Sequence, residues 1–432
     1  MAKTYDTYKD SGIAWIGNIP SEWKTCRIKD TSLLYTGNSI KDEEKDSFQD
    51  MNEARPYIAT KDIDATYMSA NYNNGLYIKH TDCNFRIAPP SSTLMCIEGG
   101  SAGRKKAFID QEVSFVNKLC CFAPFEGVYG KYIYYFLCSP NFEDIFNSKI
   151  TGLIGGVNIP TLKNIECLLP SISEQKAIAT YLDEKCGEID SLISLQEEMI
   201  SELQAYKQSV ITEAVTKGLD PNVPMKDSGV EWIGMIPEIW KLARIGNFFR
   251  LRTERNTKPM EEVQLLSLYT GIGVFPHGEQ EERGNKAVTV DGYKIVHKND
   301  IIVNIILAWM GAIGVSNYDG VTSPAYDIYI PNLARVVPHY FHYVFRTKGF
   351  AGECYKYGRG IMMMRWRTYS TEFKQISIPL PPLSEQQTIA SYLDEKTSQI
   401  DSLIAIKQEK ITELKDYKKS IIYEYVTGKK KV

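Results

Sequence analysis

"KDSGIAWIGNIPSEWK" runs from Lys9 to Lys24, and "KDSGVEWIGMIPEIWK" runs from Lys226 to Lys241. The chain therefore contains one tryptophan-rich sentence twice, 217 residues apart. Solenoids and propellers restate their motif every 20–50 residues or so. A period this long predicts two copies of a whole domain instead. A length of 432 residues supports that reading, since it is enough chain for about two or three hydrophobic cores.

A second repeated block follows each copy, starting at Leu169 and at Leu380. From Leu169 to Thr216, 28 of 48 positions are identical to their partners 211 residues later. Each block reads as one long helix. Ser173 and Ser384, each followed by Glu-Gln after a proline stretch, place a capping hydroxyl and early acidic charge at a helix start. Apolar residues then recur in heptads. Leu182, Ile189, Leu203 and Val210 share one position, and Leu192, Met199 and Tyr206 the other, with Gln196 interrupting. The second copy gives Leu393, Ile400, Leu414 and Ile421, then Leu403 and Tyr417, with Lys407 interrupting. A seam this long predicts a supercoiled partner helix, and helices of about 44 residues extend roughly 65 Å. The simplest partner is the other copy, packed antiparallel. The alternative is that each helix packs on its own domain as an ordinary core helix.

The intervening segments, about 25–168 and 242–379, diverge although they occupy equivalent places. Both carry short apolar or alternating runs punctuated by glycine and proline, such as "STLMCIEGG" and "AYDIYIP". Helical stretches such as "GKYIYYFLCS" and "PHYFHYVFRT" lie near their ends. The expected fold class is α+β (mixed α/β): two globular domains separated by two long antiparallel helices forming a coiled coil, with a pseudo-twofold internal repeat. The expected divisions are 1–168 and 218–379 for the globular domains, with 169–217 and 380–432 for the spacer helices. The apolar run from Ile301 to Val315 is short for a membrane span and broken by Asn304 and two glycines, so it is expected to be buried sheet. "MAKTYDTYKD" has no apolar signal region, and nine cysteines without C-x-x-C spacing read as reduced thiols. Adjacent Cys120 and Cys121 fit a buried strand. These features point to a cytoplasmic protein.

The net charge of −3 excludes a globally basic surface, so nucleic-acid contact must be local. The segment 242–379 holds 17 Lys/Arg against 12 Asp/Glu, whereas 25–168 holds 15 against 17. In the first segment "GGSAGRKKAF" sets Arg104, Lys105 and Lys106 beside glycines that could bring backbone close to phosphate, and Lys118 follows. In the second, Tyr318, Ser323 and Tyr326 surround a glycine turn, and "YGRGIMMMRWRTY" gathers Arg359, Arg365 and Arg367 around Trp366. Arginine reads guanine bidentately or grips phosphate. Trp309 and Trp366 are assigned to packing, and Trp15, Trp23, Trp232 and Trp240 to anchoring the repeated frame.

Catalytic signatures are missing. "GGSAGRKK" lacks the G-x-x-x-x-G-K-[ST] spacing, and neither "APPS" nor "LPPL" supplies the Asn/Asp-Pro-Pro-aromatic tetrapeptide of DNA amino-methyltransferases. The five histidines are dispersed, His339 and His342 alone sharing a helix, and no metal site is expected. Asp183 and Glu184 sit on the duplicated helix as a solvated acidic face rather than an acid/base pair. The chain reads as a binder.

With these residues in view, the chain resembles the specificity (HsdS) subunit of type I restriction–modification systems over essentially its whole length. The doubled "WIG" sentence, "WMGAIGVSNYDGVTSPAY" in the second variable segment, and the "IATYLDEK" and "IASYLDEK" runs each followed by "IDSLI" carry the likeness. The resemblance implies that each variable segment is a target-recognition domain reading one half of a bipartite, asymmetric double-stranded DNA site. It implies that the helices form the spacing coiled coil and that the chain is not an enzyme. It also implies two methyltransferase subunits, which use S-adenosylmethionine, and motor-nuclease subunits, which use ATP and Mg; no cofactor belongs to this chain. Because the first segment is slightly acidic, weak DNA binding is expected from the isolated chain and tight binding from the assembly. Two rival readings are an orphan or inhibitory scaffold that binds methyltransferase subunits, and a DNA enzyme with an unrecognised active site. A ruler built from these helices has a geometric consequence. Inserting four residues, about 6 Å of helix, into both long helices should lengthen the non-specific spacer of the recognised site by roughly one to two base pairs. Methylation mapping reads this directly, and an unchanged spacer in an active complex would refute it.

Overall fold

The computed structural model describes residues 4–152, 155–278, 289–360 and 366–432. Two compact units emerge: Met1–Glu198 with Lys407–Val432, and Met199–Ile406. Each unit thus holds one variable domain, the first half of the long helix that follows it, and the last half of the other long helix.

In unit 1, an antiparallel sheet takes the order Ser32–Thr36, Leu119–Pro124, Ser92–Cys96, Lys106–Ile109. The apolar alternation of these runs puts Leu94, Cys96, Ala107, Ile109, Leu119 and Cys121 into one core. A second sheet of short strands includes the parallel pair Ala54–Ile58 and Val113–Phe115. Unit 2 repeats the first arrangement as Phe249–Leu251, Tyr326–Pro331, Ile301–Asn304, Ile313–Val315. The apolar run Ile301–Val315 is buried sheet only at its ends, Ile301–Asn304 and Ile313–Val315, with a turn and the short helix Ala308–Met310 between them and Met310 exposed. Cys120 and Cys121 lie fully buried in a strand. Among the described residues, no helix is long and apolar enough to cross a membrane.

The ends of each variable domain are clamped identically. Lys24–Arg27 pairs antiparallel with Glu166–Leu169, and Lys241–Arg244 with Ser377–Leu380. Directly after each closing strand a long helix begins, Ile172–Lys217 and Leu383–Val426. The cap of the first differs from the sequence expectation. Ser171, not Ser173, accepts the Glu174 amide at 3.3 Å, and Ser173 lies inside the first turn. In the second copy Pro382 stands in that place, and its carbonyl takes the Glu385 amide at 3.0 Å. The duplicated serine follows the cap rather than forming it.

Trp23 and Trp240 are fully buried, and each indole donates to the first-turn carboxylate of its long helix, Glu174 at 3.0 Å and Glu385 at 2.9 Å. One residue further, buried Gln175 accepts the Tyr129 amide at 2.8 Å and donates to the Pro170 carbonyl at 2.9 Å. Gln386 does the same with Val337 at 2.8 Å and Pro381 at 3.0 Å. These carboxamides occupy amides and carbonyls that burial would otherwise leave unpaired. Against each tryptophan the other long helix ends on a left-handed glycine. Gly428 (φ +69) would place a Cβ 2.3 Å from the Pro20 ring, and Gly218 (φ +78) would place one 3.1 Å from Glu385 and 3.4 Å from Trp240.

The helix halves in unit 1 run antiparallel, the Tyr181 and Tyr425 rings in tilted contact at 4.5 Å and Lys418 meeting Asp190 at 2.7 Å. In unit 2 the same ion pair recurs with the helices exchanged, Lys207 meeting Asp401 at 2.6 Å. Leu182, Ile189, Leu393 and Ile400 are buried in these seams, with Leu203 and Leu414 half-buried. The second heptad position needs correcting. Leu192, Tyr206, Leu403 and Tyr417 are 47, 58, 48 and 59 % exposed, and the seam instead takes the next residue: Ile193, Lys207, Ile404 and Lys418. Lysine at a seam disguised the register. Its methylene stem lies in the interface while its ammonium reaches the aspartate.

Substitution at neighbouring sites tests that register. Ile193→Lys should destabilise the chain by about 3–5 kcal/mol, because it buries an unpaired charge and removes a core side chain. Leu192→Lys should cost about 0.5 kcal/mol or less. Urea unfolding of the purified variants measures both, and equal losses would refute the assignment.

Candidate nucleic-acid interface

The glycine loop of unit 1 is built for packing more than for cradling an anion. After the strand Ser92–Cys96, the amides of Gly99, Ala102, Gly103, Arg104 and Lys105 all donate within the loop or to Gly155, at 2.7–3.3 Å. Gly103 (φ +72) lets the loop lie on Phe146, whose ring a Cβ would approach to 2.5 Å. These five amides are therefore already used, and what the loop presents outward is mainly side-chain charge. Arg104 is exposed and folds back to the Gly100 carbonyl. Lys105 is half-buried and tied to the Thr60 carbonyl at 2.9 Å. Lys106 is 1 % exposed, because the strand Lys106–Ile109 turns it inward, so its ammonium is not offered to phosphate. Lys118 is exposed, and its carbonyl accepts the Ile97 amide at 3.0 Å, which seats it where the glycine loop begins. Burial raises the Cys96 thiol above its ordinary value, opposed by hydrogen bonds at Glu98 and Thr60 and then by the charges of Lys105 and Lys118.

In unit 2, Tyr318 and Tyr326 are half-buried against a small core of Leu266, Val274, Val296, Ile302 and Ile328. Ser323 is half-buried between them in sequence, its hydroxyl accepting the Ala325 amide and its carbonyl the Tyr326 amide. Burial raises the Tyr326 phenol above its ordinary value, so it is a neutral donor near neutral pH. Arg359 and Arg367 exchange backbone hydrogen bonds of 2.9 and 3.0 Å, and Arg365 lies outside the described residues. Arg359 is exposed but engaged, 2.8 Å from Glu372 and over the Tyr369 ring. Arg367 is half-buried, its Nε enclosed without a protein acceptor among the described residues. Trp366 stacks on Tyr355 at 4.9 Å and donates to its carbonyl, and Trp309 donates to the Ile306 carbonyl. Both indoles are half-buried packing groups.

Arg104 and Lys118 are thus the two exposed cations among the unit 1 candidates, while the unit 2 candidates split between a tyrosine-lined core edge and the bonded Arg359–Arg367 backbones. Sequence reasoning passed over Arg346, which lies against a cavity of unit 2; its one signal was position, one turn after His342. The paired histidines hold separate partners, His339 an Asp394 oxygen at 2.7 Å and His342 the Arg346 guanidinium at 2.6 Å. Among the described residues, no three His, Cys, Asp or Glu side chains gather as metal ligands would.

The profile of the type I restriction modification DNA specificity domain matches the chain twice, over residues 20–205 and 237–416. The type I restriction enzyme MjaVIII specificity subunit of Methanocaldococcus jannaschii is 24 % identical over 442 residues, covering 96 % of this chain and 94 % of that protein. The EcoBI specificity subunit of Escherichia coli is 22 % identical over 419 residues, covering 89 % and 81 %. Among solved structures, a chain from a study of type I R-M complex assembly and conformational transition superposes with a TM-score of 0.68 at 15 % identity, over 94 % of this chain and 98 % of that one. The HsdS subunit from Thermoanaerobacter tengcongensis gives 0.51 at 16 %, over 95 % and 98 %.

Exposure separates DNA-facing candidates from structural residues. In the assembled complex, Arg104→Gln with Lys118→Gln should lower the slope of log affinity against log salt by up to about 1.8, near 0.9 for each phosphate no longer neutralised. Lys106→Met should leave that slope unchanged and alter stability instead. Fluorescence anisotropy on cognate DNA across a salt series distinguishes the two, and an unchanged slope in the double variant would remove this pair from the interface.

Proposed function

We propose, from the premise that this chain belongs to the type I restriction–modification DNA specificity family, how its parts share the work. The chain is a DNA sequence-specificity subunit and is not itself an enzyme. In our reading, residues 25–168 read one half of a bipartite double-stranded site and residues 242–379 read the other. The long helices fix the gap between the halves and recruit two methyltransferase subunits. Motor-nuclease subunits join through those. The methyltransferase subunits bring S-adenosylmethionine and the motor-nuclease subunits ATP and Mg, all in the cytoplasm.

The observation that carries this reading is the duplication of the frame down to single bonds. Trp–Glu, Gln–amide and Lys–Asp contacts recur in both halves, whereas the loops between the strands differ. A frame kept twice around divergent loops suits two different readers presented to two copies of one partner. The partner's surface can be named. Leu192, Leu195 and Tyr206 are exposed on the first long helix, and their equivalents Leu403, Ile406 and Tyr417 are exposed on the second, at 47–60 %. Apolar residues retained twice on a solvent face fit a protein interface.

Deleting the gene should erase one gapped adenine-methylation motif from the genome. Replacing residues 25–168 with those of a relative should change one half of that motif and keep the other; a change in both halves would overturn the division of labour. Leu192→Glu combined with Leu403→Glu should leave the unfolding curve nearly unchanged yet abolish co-purification of methyltransferase subunits. Retained co-purification would move the docking surface elsewhere.

A further inference from the structure

Each unit has a half-open cavity between a long-helix pair and the short helix of its variable domain, Gly130–Leu137 or Pro338–Val344. The repeat makes the two equivalent. Asp190, Lys418 and Tyr135 line the first, of about 330 Å³, and Asp401, Lys207 and Tyr343 line the second, of about 680 Å³. Their charges differ. In the first, Lys131 meets Asp183 and Lys418 meets Asp190, each at 2.7 Å. Asp110 adds a third carboxylate, accepting from Tyr72 at 2.7 Å. Three carboxylates against two ammonium groups leave that wall at −1.

The second cavity keeps the Lys–Asp pair and adds Arg346, where the first has Cys138. Among the described residues, no carboxylate lies within 4.0 Å of the Arg346 guanidinium. Its partners are neutral: His342 Nε2 at 2.6 Å and the Gly271 carbonyl. His342 is neutral because burial first, then the charges of Arg346 and His339, push its pKa down to about 3. Asp401 is already engaged by Lys207, so this wall carries +1. A guanidinium stays protonated in proteins, and a largely desolvated one whose hydrogen-bond partners are neutral, and whose nearby carboxylate Asp401 is already shared with Lys207, favours an anion beside it. Gln204 and Gln208 offer carboxamides nearby, and Ile211, Ile272, Met310 and Ile404 supply apolar wall. The volume lies within the usual range for small-molecule sites, roughly 300–1,000 Å³.

We propose that this cavity is a binding site for a small organic oxyanion, a carboxylate or a phosphate ester, whose charged head is held by Arg346 and whose body lies on the apolar wall. The first cavity, with its negative wall, is not such a site. The duplicated frame supplies the chamber, and one divergent side chain gives it a ligand class.

Isothermal titration calorimetry on the full chain, at fixed ionic strength and neutral pH, tests this with inorganic phosphate in one arm and acetate in the other. The expected result is one anion per chain, weakened about tenfold or more in Arg346→Met and less in Arg346→Lys, which keeps the charge. Met310→Trp, which fills the cavity from its wall, should also suppress binding with an unchanged thermal midpoint. It serves as the second variant should Arg346→Met fail to fold. Binding of phosphate alone assigns a phosphate ester, of acetate alone a carboxylate, and of both an unselective oxyanion site. No binding by the wild type, or wild-type affinity in both Arg346→Met and Met310→Trp, overturns the proposal.

Discussion

The junction where each buried tryptophan meets a long helix organises this molecule. Trp23 and Trp240 hold the first-turn glutamates of the helices that leave their own domains, and each also packs against the glycine that ends the other helix. One indole therefore fixes a helix start and a helix stop together. A carboxylate near a helix N-terminus is already favoured by the backbone dipole, and the indole N–H fixes its rotamer. Because both junctions are made the same way, the two variable domains are attached by equivalent ends.

Between those junctions the seam depends on two ion pairs that are one pair stated twice. Asp190 with Lys418 and Asp401 with Lys207 join residues separated by the same 211 positions as the repeated blocks. Such pairs are modest sources of stability, and their best-attested use is register. A one-residue slip of the antiparallel helices would separate both aspartates from both lysines and leave two seam ammonium groups without partners. The lysine positions therefore specify alignment where leucine would tolerate several.

The same lysines explain which parts of the architecture were legible in the sequence. The long period announced two domains, the apolar runs announced buried strands, and the leucine and isoleucine pattern located one side of the seam at Leu182, Ile189, Leu393 and Ile400. The other side was misread because exposed Leu192, Tyr206, Leu403 and Tyr417 are more apolar than the Lys207 and Lys418 that replace them at the contact. Hydrophobicity alone cannot distinguish a stripe buried within the chain from one left exposed for a partner. The loop cations were harder still. Arg104, Lys105 and Lys106 are consecutive, yet one is exposed, one tethered and one enclosed, since the first two precede the strand and only Lys106 has entered it, and a run of charge carries no record of where the strand begins.

Duplication followed by divergence leaves a testable physical signature at paired positions. Where a contact serves the frame, both copies keep it, as Tyr135 with Asp183 and Tyr343 with Asp394 do at 2.7 and 2.6 Å. In both, burial and then the aspartate raise the phenol above its ordinary range, which keeps it the donor. Where a contact serves one reader, the copies separate, as Cys138 and Arg346 do three residues further on, just past the ends of the same short helices. A neutral thiol in one copy is a guanidinium in the other, at a position walled by duplicated chemistry. The surrounding frame did not change to neutralise it, for Asp401 remains committed to Lys207, as Asp190 is to Lys418. An uncompensated charge in an otherwise duplicated chamber is the kind of departure that structural maintenance does not call for, because the other copy holds its fold without it.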